Sequence, residues 1–140
     1  MKRSDIDEEL NENGSVNWEL LDTVTDPSRA RIIHTILGHP KELASVREID
    51  YMNPEMKKSN IDYHLRELVD NGIAEKVSLP KGKRKRDLPS TFYGITERGE
   101  ELLKKHNLWN EKEMWELLYQ SVEKNPEIQR IEDMERPDST

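Results

Sequence analysis

The chain has 140 residues, with 29 acidic and 22 basic side chains, a formal net charge of −7 and no cysteine. The length predicts one domain with appended helices or tails. The lack of cysteine excludes disulfides and thiolate metal sites. No apolar run approaches the ~20 residues that cross a bilayer, and the acidic first twenty residues lack the apolar segment of a secretory signal, so we expect a cytoplasmic protein without a membrane partner.

A disordered tail and a short helix are predicted at the N-terminus. Residues 1–14 are mostly acidic and polar, which is typical of a disordered tail. The next large apolar residues, Trp18 and Leu21, are three positions apart and therefore share one face of a helix predicted over residues 16–23.

The second helix has clear start and stop signals. Asp26 can cap the free amides of the first turn, and Pro27 fits the first helical position, where no hydrogen bond is lost. Gly38 is predicted to end the helix. Apolar residues spaced by three and four predict the buried stripe, which comprises Ala30, Ile33, Ile36 and Leu37.

A short strand over residues 42–44 is predicted to lead into a third, short helix. Residues 45–48 match a capping box, in which the side chains of Ser45 and Glu48 satisfy opposed backbone amides. The helix should end before Pro54, because the residue preceding a proline is pushed out of helical geometry. Its predicted buried residues are Val46, Ile49 and Met52.

The fourth helix follows after a tight turn and is amphipathic. It is predicted over residues 57–70 and should end at Asn71-Gly72. Its apolar residues form one stripe: Ile61, Leu65, Leu68 and Val69. Subtracting this stripe leaves an exposed polar face of Lys57, Lys58, Ser59, Asn60, Asp62, Tyr63 and Arg66.

A hairpin with a basic tip follows this helix. Residues 73–79 and 91–95 contain the apolar, β-branched and aromatic residues that favour strands. The loop between them is bracketed by prolines and has five basic side chains in six positions: Lys81, Lys83, Arg84, Lys85 and Arg86. Residues 57–98 contain ten basic and six acidic side chains, a net charge of +4, so the negative total belongs to the rest of the chain.

Three further helical segments complete the chain. Thr96 is predicted to cap a helix over residues 97–106 that buries Leu102 and Leu103. Residues 110–113 resemble a second capping box, at the start of a helix that should end near residue 124. Asn125-Pro126 restarts a short helix, and a polar tail is predicted from residue 135.

The order of helix, short strand, short helix, tight turn, helix and hairpin is the plan of a winged helix-turn-helix, a mainly α fold with a small β-hairpin. The segments 26–33, 60–73 and 91–99 resemble the ArsR-like winged-helix transcriptional regulators, in particular archaeal and haloarchaeal members. The most specific part is the run Tyr-His-Leu-x-x-Leu-Val-x-x-Gly that begins at Tyr63. The cysteine motif of the metal-sensing members is absent, so neither a metal nor another cofactor is expected.

The polar face of the fourth helix has the side chains that read DNA. Asn pairs with adenine, Arg and Lys pair with guanine or phosphate, and Ser and Tyr reach phosphates or base edges. Asp62 would be repelled by phosphates and is expected instead to orient Arg66 through an i,i+4 pair. The resemblance implies that His64 lies on the DNA side, while packing at the edge of the core is the alternative. The predicted recognition-helix site comprises Lys57, Lys58, Ser59, Asn60, Tyr63, His64 and Arg66.

The basic loop and the C-terminal apolar residues each have two interpretations. The loop is either an idle solvated segment or a wing that contacts phosphates, and its place beside a recognition helix favours the wing. The winged domain, residues 15–106, is predicted to be complete without residues 107–134, which are interpreted as a dimerisation extension before a tail at 135–140. The predicted dimer interface comprises Trp18, Leu21, Leu108, Trp109, Met114, Trp115, Leu118 and Val122.

The sequence therefore predicts a homodimeric, sequence-specific double-stranded DNA-binding transcriptional regulator. The alternative is a winged-helix module that binds proteins and does not touch DNA. No nucleotide-binding glycine loop, Ser-His-Asp order or paired-histidine zinc spacing is present, so no enzymatic activity is expected. The sequence does not indicate an effector.

Overall fold

The structure, a computed structural model, describes residues 18–137. The predicted tail at residues 1–14 and the predicted start of the first helix at residue 16 lie outside this range. The described elements are α1 (Trp18–Thr25), α2 (Pro27–Gly38), α3 (Val46–Met52), α4 (Lys58–Asp70), β1 (Ala74–Ser78), β2 (Thr91–Ile95), α5 (Glu97–Lys105), α6 (Lys112–Ser121) and α7 (Pro126–Asp133). The prediction of a mainly α fold with one small antiparallel hairpin is confirmed. Within residues 18–137, every helix is too short or too polar to span a membrane.

Helix α2 is the centre of the core. The Asp26 carboxylate accepts hydrogen bonds from the amides of Ser28 and Arg29, both at 3.1 Å, as the predicted cap requires. The helix packs against α1, α3, α4, α6 and β2, so more than one stripe is covered. Ile32 is consequently fully buried, whereas Ala30, which was expected in the buried stripe, is only half-buried.

Helices α3 and α4 form the helix-turn-helix unit. The capping box of Ser45 and Glu48 at the start of α3 is confirmed. The predicted strand before it is wrong, because Glu42 has a φ of +54°, and only Ala44 pairs with β2, through two hydrogen bonds to Tyr93 of 3.0 and 2.8 Å. Helix α4 begins one residue later than predicted, at Lys58, and buries Ile61, Leu65 and Leu68.

The C-terminal helices pack on the same winged domain instead of projecting from it. Helix α6 lies against α2, where a side chain at Gly38 would place its Cβ 2.5 Å from the carbonyl oxygen of Trp115. The second capping box, predicted at residues 110–113, is wrong, because α6 begins one residue later, with Glu111 as its N-cap and no side-chain capping hydrogen bond. The helix ends at Ser121, three residues before the predicted end. Helix α7 packs on α3, and its predicted start is confirmed by the Asn125 side chain, which accepts from the amide of Ile128 at 2.8 Å.

The predicted polar tail contains one buried side chain. Arg136 follows α7, and only 6% of its side chain is exposed. It forms an ion pair of 3.0 Å with Glu48, whose side chain is fully buried. The prediction of a tail is therefore corrected at this residue, because the side chain of Arg136 is buried and paired, whereas the side chains of a tail are exposed to solvent.

Candidate nucleic-acid interface

The polar face of α4 is exposed and is not covered by any other part of the chain that the structure describes. The side chains of Lys57, Lys58, Ser59, Asn60 and Arg66 are exposed and make no hydrogen bond or ion pair within residues 18–137. The opposite stripe, of Ile61, Leu65 and Leu68, is at most 1% exposed. The apolar stripe thus holds the helix on the core while the polar face stays available for a ligand.

The N-terminus of α4 is suited to an anion. Lys57 provides no side-chain cap, and its carbonyl oxygen accepts from the amides of Asn60 and Ile61 at 3.0 Å. The amides of Lys58 and Ser59 have no acceptor among the described residues. Free amides at a helix start attract phosphate groups, and two flanking lysines strengthen this attraction.

A cleft of about 380 Å³ separates α4 from the hairpin. Asp62 and Arg66 both line it, but the predicted ion pair between them does not form in the described part of the chain. Lys76 and Tyr93 line it from the hairpin, where they are directly opposite each other in the β1–β2 register. Burial and the nearby charge of Asp62 raise the pKa of the Tyr93 phenol, against the opposing effect of Arg66. Lys76 and Tyr93 therefore join the candidate site, and they were not predicted from the sequence.

His64 is held in one tautomer at the edge of the core. Arg29 Nε donates to His64 Nδ1 at 3.2 Å, so the proton of the neutral ring is on Nε2. Burial and the charge of Arg29 lower the pKa of His64, which favours this neutral form. The ring is half-buried and 5.2 Å from that of Tyr63. This geometry supports packing at the core edge, and it leaves Nε2–H as the donor for an incoming group.

The basic side chains of the wing are exposed, and two of them make contacts with other parts of the chain. Arg84 Nε donates to the carbonyl oxygen of Leu79 at 2.8 Å, and Lys83 forms an ion pair of 3.1 Å with Glu135. The Lys83 pair is more than half exposed on both sides, and such pairs contribute little stability, so a phosphate can readily displace Glu135. The side chains of Lys81, Lys85 and Arg86 are exposed and have no hydrogen-bond or ion-pair partner in the described range.

The predicted dimer residues divide into two groups. Trp115 is only 8% exposed and stacks on His34 of α2 at 4.1 Å, so it is buried in its own chain and unavailable to a partner. Leu21, Leu108 and Trp109 are partly buried against the same core. The remaining predicted residues are well exposed: Trp18 at 63%, Met114 at 52%, Leu118 at 56% and Val122 at 39%. Leu117, which was not predicted as an interface residue, is 62% exposed beside them.

Comparison with known proteins agrees with this architecture. A model described as "Helix-turn-helix domain" matches residues 24–77, which include α2, α3 and α4. No curated protein matches the chain at a significant level of similarity. A solved structure from Halomicrobium mukohataei, described as a protein with a GntR superfamily winged-helix-turn-helix domain, is 37% identical with a TM-score of 0.81. The alignment covers 88% of this chain and 87% of that one. The chain therefore belongs to the same winged helix-turn-helix family as this haloarchaeal protein.

Proposed function

We propose that the protein is a sequence-specific, double-stranded DNA-binding transcriptional regulator. The observation that carries this proposal is the polar face of α4, which has no partner within residues 18–137. Its side chains and N-terminal amides match the chemistry of a DNA groove. Within the winged helix-turn-helix proteins, the motifs of α4 and the wing favour the ArsR-like group, and the haloarchaeal relative favours an archaeal source. A regulator of this kind acts in the cytoplasm and without catalysis.

In the proposed complex, α4 enters the major groove. Asn60 and Tyr63 face the base edges, and Lys57 and Lys58 contact phosphates beside the free amides of the first turn. The wing lies on the adjacent backbone or minor groove, where the five basic side chains replace condensed counterions. Base contacts then supply specificity, and phosphate contacts supply most of the affinity.

Asn60→Ala should relax the sequence preference at one base position without abolishing binding. A bidentate contact to a base discriminates by about 1–3 kcal/mol, so we expect a loss of about 10- to 100-fold in affinity for a selected site and little change for random duplex DNA. Fluorescence anisotropy with both duplexes measures the two constants. Glu75→Ala, which changes a half-buried strand residue, is the control. If the chain shifts no random duplex in a gel, the protein-binding alternative replaces this proposal.

We also propose a homodimer that uses the exposed apolar residues of α6. Met114, Leu117 and Leu118 are each more than half exposed and recur at helical spacing on one face, which is typical of an interaction surface. They adjoin a groove of about 270 Å³ between α2, α3 and α6, which Leu118 and Val122 line. A two-fold dimer would place two α4 helices on half-sites about 10 base pairs apart, or a multiple of that distance.

Leu118→Glu should convert the dimer to a monomer, because the stripe would bury an unpaired carboxylate at the interface. Sedimentation velocity at working concentration measures the change. Gln120→Glu is the matched control, since Gln120 is exposed on the same helix outside the apolar stripe and should leave the dimer intact. A wild-type chain that sediments as a monomer, both free and on DNA, would contradict the dimer.

A further inference from the structure

The side chain of Arg136 has every one of its donors satisfied inside the protein. Nε donates to the carbonyl oxygen of Leu43 at 2.8 Å, and Nη1 donates to those of Ile131 and Met134 at 2.8 and 3.1 Å. Nη2 donates to both carboxylate oxygens of Glu48 at 3.0 Å. His39 Nε2 also lies 2.9 Å from Nη2, but its proton is directed at Glu48, so it is a neighbour and not an acceptor. A guanidinium has five N–H donors, and three carbonyl oxygens and two carboxylate oxygens accept from this one. Such a match indicates a built position and not a chance contact of a chain terminus.

The acceptor at the centre of this site is the capping carboxylate of α3. Glu48 Oε1 accepts from the backbone amide and hydroxyl of Ser45 at 2.9 and 3.0 Å, in addition to Arg136. Glu48 Oε2 accepts from His39 Nε2 at 2.6 Å, and His39 Nδ1 accepts from the amide of Lys41 at 3.0 Å, which assigns the ring proton to Nε2. Arg136 is thus bonded directly to the start of the helix-turn-helix unit.

The same segment also contacts the wing at its base and at its tip. The guanidinium of Arg136 lies 4.4 Å from the ring centroid of Phe92, a fully buried residue of β2. Its acceptor Leu43 immediately precedes Ala44, which forms the two-hydrogen-bond bridge to Tyr93 of β2. Residues 134–136, which we name the C-terminal strap, also carry Glu135, the partner of Lys83 in the wing.

Helix α7 supports the wing from the same side. Arg130 lies 3.5 Å from Asp87 at the end of the basic loop, and Arg47 of α3 bonds both Glu127 of α7 and the carbonyl oxygen of Asp87. These contacts are exposed and individually weak. The Arg136 site is therefore the one buried ion pair that joins α3 to the C-terminal strap in the described part of the chain, and its guanidinium also lies on Phe92 of the wing.

We propose that Arg136 is a positioning residue for DNA binding, which fixes the wing relative to the helix-turn-helix unit so that both meet one duplex. This inference rests on the proposed function. Arg136 would not itself touch DNA, because its guanidinium is buried and fully engaged. If the strap is released, the wing keeps its charges but loses its fixed orientation, and its phosphate contacts are lost while those of α4 remain.

The test uses full-length wild type, Arg136→Met and the double variant Glu48→Gln with Arg136→Met. Arg136→Met leaves the buried carboxylate of Glu48 without its cationic partner and should lower the unfolding midpoint by about 10 °C. The double variant removes both charges and should recover most of this loss. Binding to a labelled random duplex of 30 base pairs is then measured by anisotropy against salt, well below each midpoint. We expect both variants to lose about 1–2 from the slope of log affinity against log salt, at ~0.9 per lost phosphate contact.

The double variant decides between positioning and mere stability. If its salt slope returns to the wild-type value together with its midpoint, Arg136 acts only through folding stability and the proposal is overturned. Amide hydrogen exchange without DNA provides an independent measurement. We expect the amides of Ala44 and Tyr93 to exchange at least ~10-fold faster in the double variant, whose midpoint is close to that of wild type, with those of α4 unchanged. Unchanged exchange at Ala44 and Tyr93 would also overturn the proposed role of Arg136. If wild type does not bind DNA, the proposed function is overturned instead. The exchange result then decides whether Arg136 holds the wing in place.

Discussion

Replacing Glu48 with alanine should lower the free energy of unfolding by about 3–5 kcal/mol. The substitution leaves the guanidinium of Arg136, 6% exposed, without the carboxylate that pairs with it. It also removes the acceptor for the amide of Ser45, so half of the α3 capping box is lost, a further contribution of about 1 kcal/mol. A buried charge without a partner is among the few single changes with so large an effect.

Denaturant titration of both chains at pH 7 measures this difference. Glu127→Ala is the matched control, because Glu127 also forms an ion pair of 3.0 Å, with Arg47, but its side chain is 59% exposed. An exposed pair contributes at most about 1 kcal/mol, so the control should stay close to wild type. Equal effects of the two substitutions would contradict the assignment of the buried site.

The pH dependence of stability provides a second test of the buried Glu48 site. Burial alone would raise the pKa of Glu48, but the hydrogen bond from His39, the charge of Arg136 and the hydrogen bond from the Ser45 amide outweigh it, so the pKa is lowered from 4.5. A lowered folded-state pKa contributes stability that is complete above the unfolded-state value and is lost as pH falls through the folded-state value. Wild type should therefore lose stability more steeply than Glu48→Gln below about pH 4.5.

Neutralising the wing should weaken binding to every duplex alike. In a variant with Lys83, Arg84, Lys85 and Arg86 all replaced by glutamine, we expect the salt slope to fall by about 2–3, at ~0.9 per lost phosphate contact. At 0.1 M salt, this corresponds to a loss of affinity on the order of 100-fold. The ratio between selected and random duplexes should be preserved, because phosphate contacts carry no sequence information.

Anisotropy titrations over a range of salt concentrations measure both quantities. The control is a variant with Lys104 and Lys105 of α5 replaced by glutamine, since these lysines lie outside the predicted interface. Its change in slope should be close to zero after allowance for the change in net charge. A wing variant that keeps the wild-type slope would contradict the assigned role of the loop.

Much of the fold was predictable because its signals are local. Asp26, Ser45, Thr96 and Asn125 each cap a helix through amides two or three residues away, so the motif and its partners lie together in the sequence. The exposed face of α4 was predictable by subtraction, because its apolar stripe has one clear period. Helix boundaries followed from the same local rules to within a few residues.

The features that the sequence did not predict correctly depend on contacts between segments that are distant in the chain. Arg136 bonds Glu48, 88 residues away, and no local pattern distinguishes it from other charges in a polar tail. On α6, apolar residues occupy more than half of the circumference, so the sequence alone could not choose the buried stripe. The close approach of α6 to Gly38 selects Trp115 and Tyr119 for burial and leaves Leu117 and Leu118 exposed.

The sequence predicted which residues belong to the candidate site better than it predicted the contacts between them. Every predicted basic side chain of the wing is exposed, and so are the predicted side chains of α4 other than His64. The contact of Arg29 with His64 requires the packing of α2 against α4. The position of Lys76 opposite Tyr93 requires the strand register, which a hairpin with a long loop does not reveal from its sequence.

The central claim is that α4 and the wing together read double-stranded DNA. Selection of duplexes from a fragmented genomic or randomised pool by the full-length chain, followed by sequencing, tests binding, specificity and half-site spacing in one measurement. We expect enrichment of a pseudo-palindromic motif whose half-sites are about 10 base pairs apart or a multiple of that distance. Recovery of a pool with the same sequence composition as the input would contradict the claim.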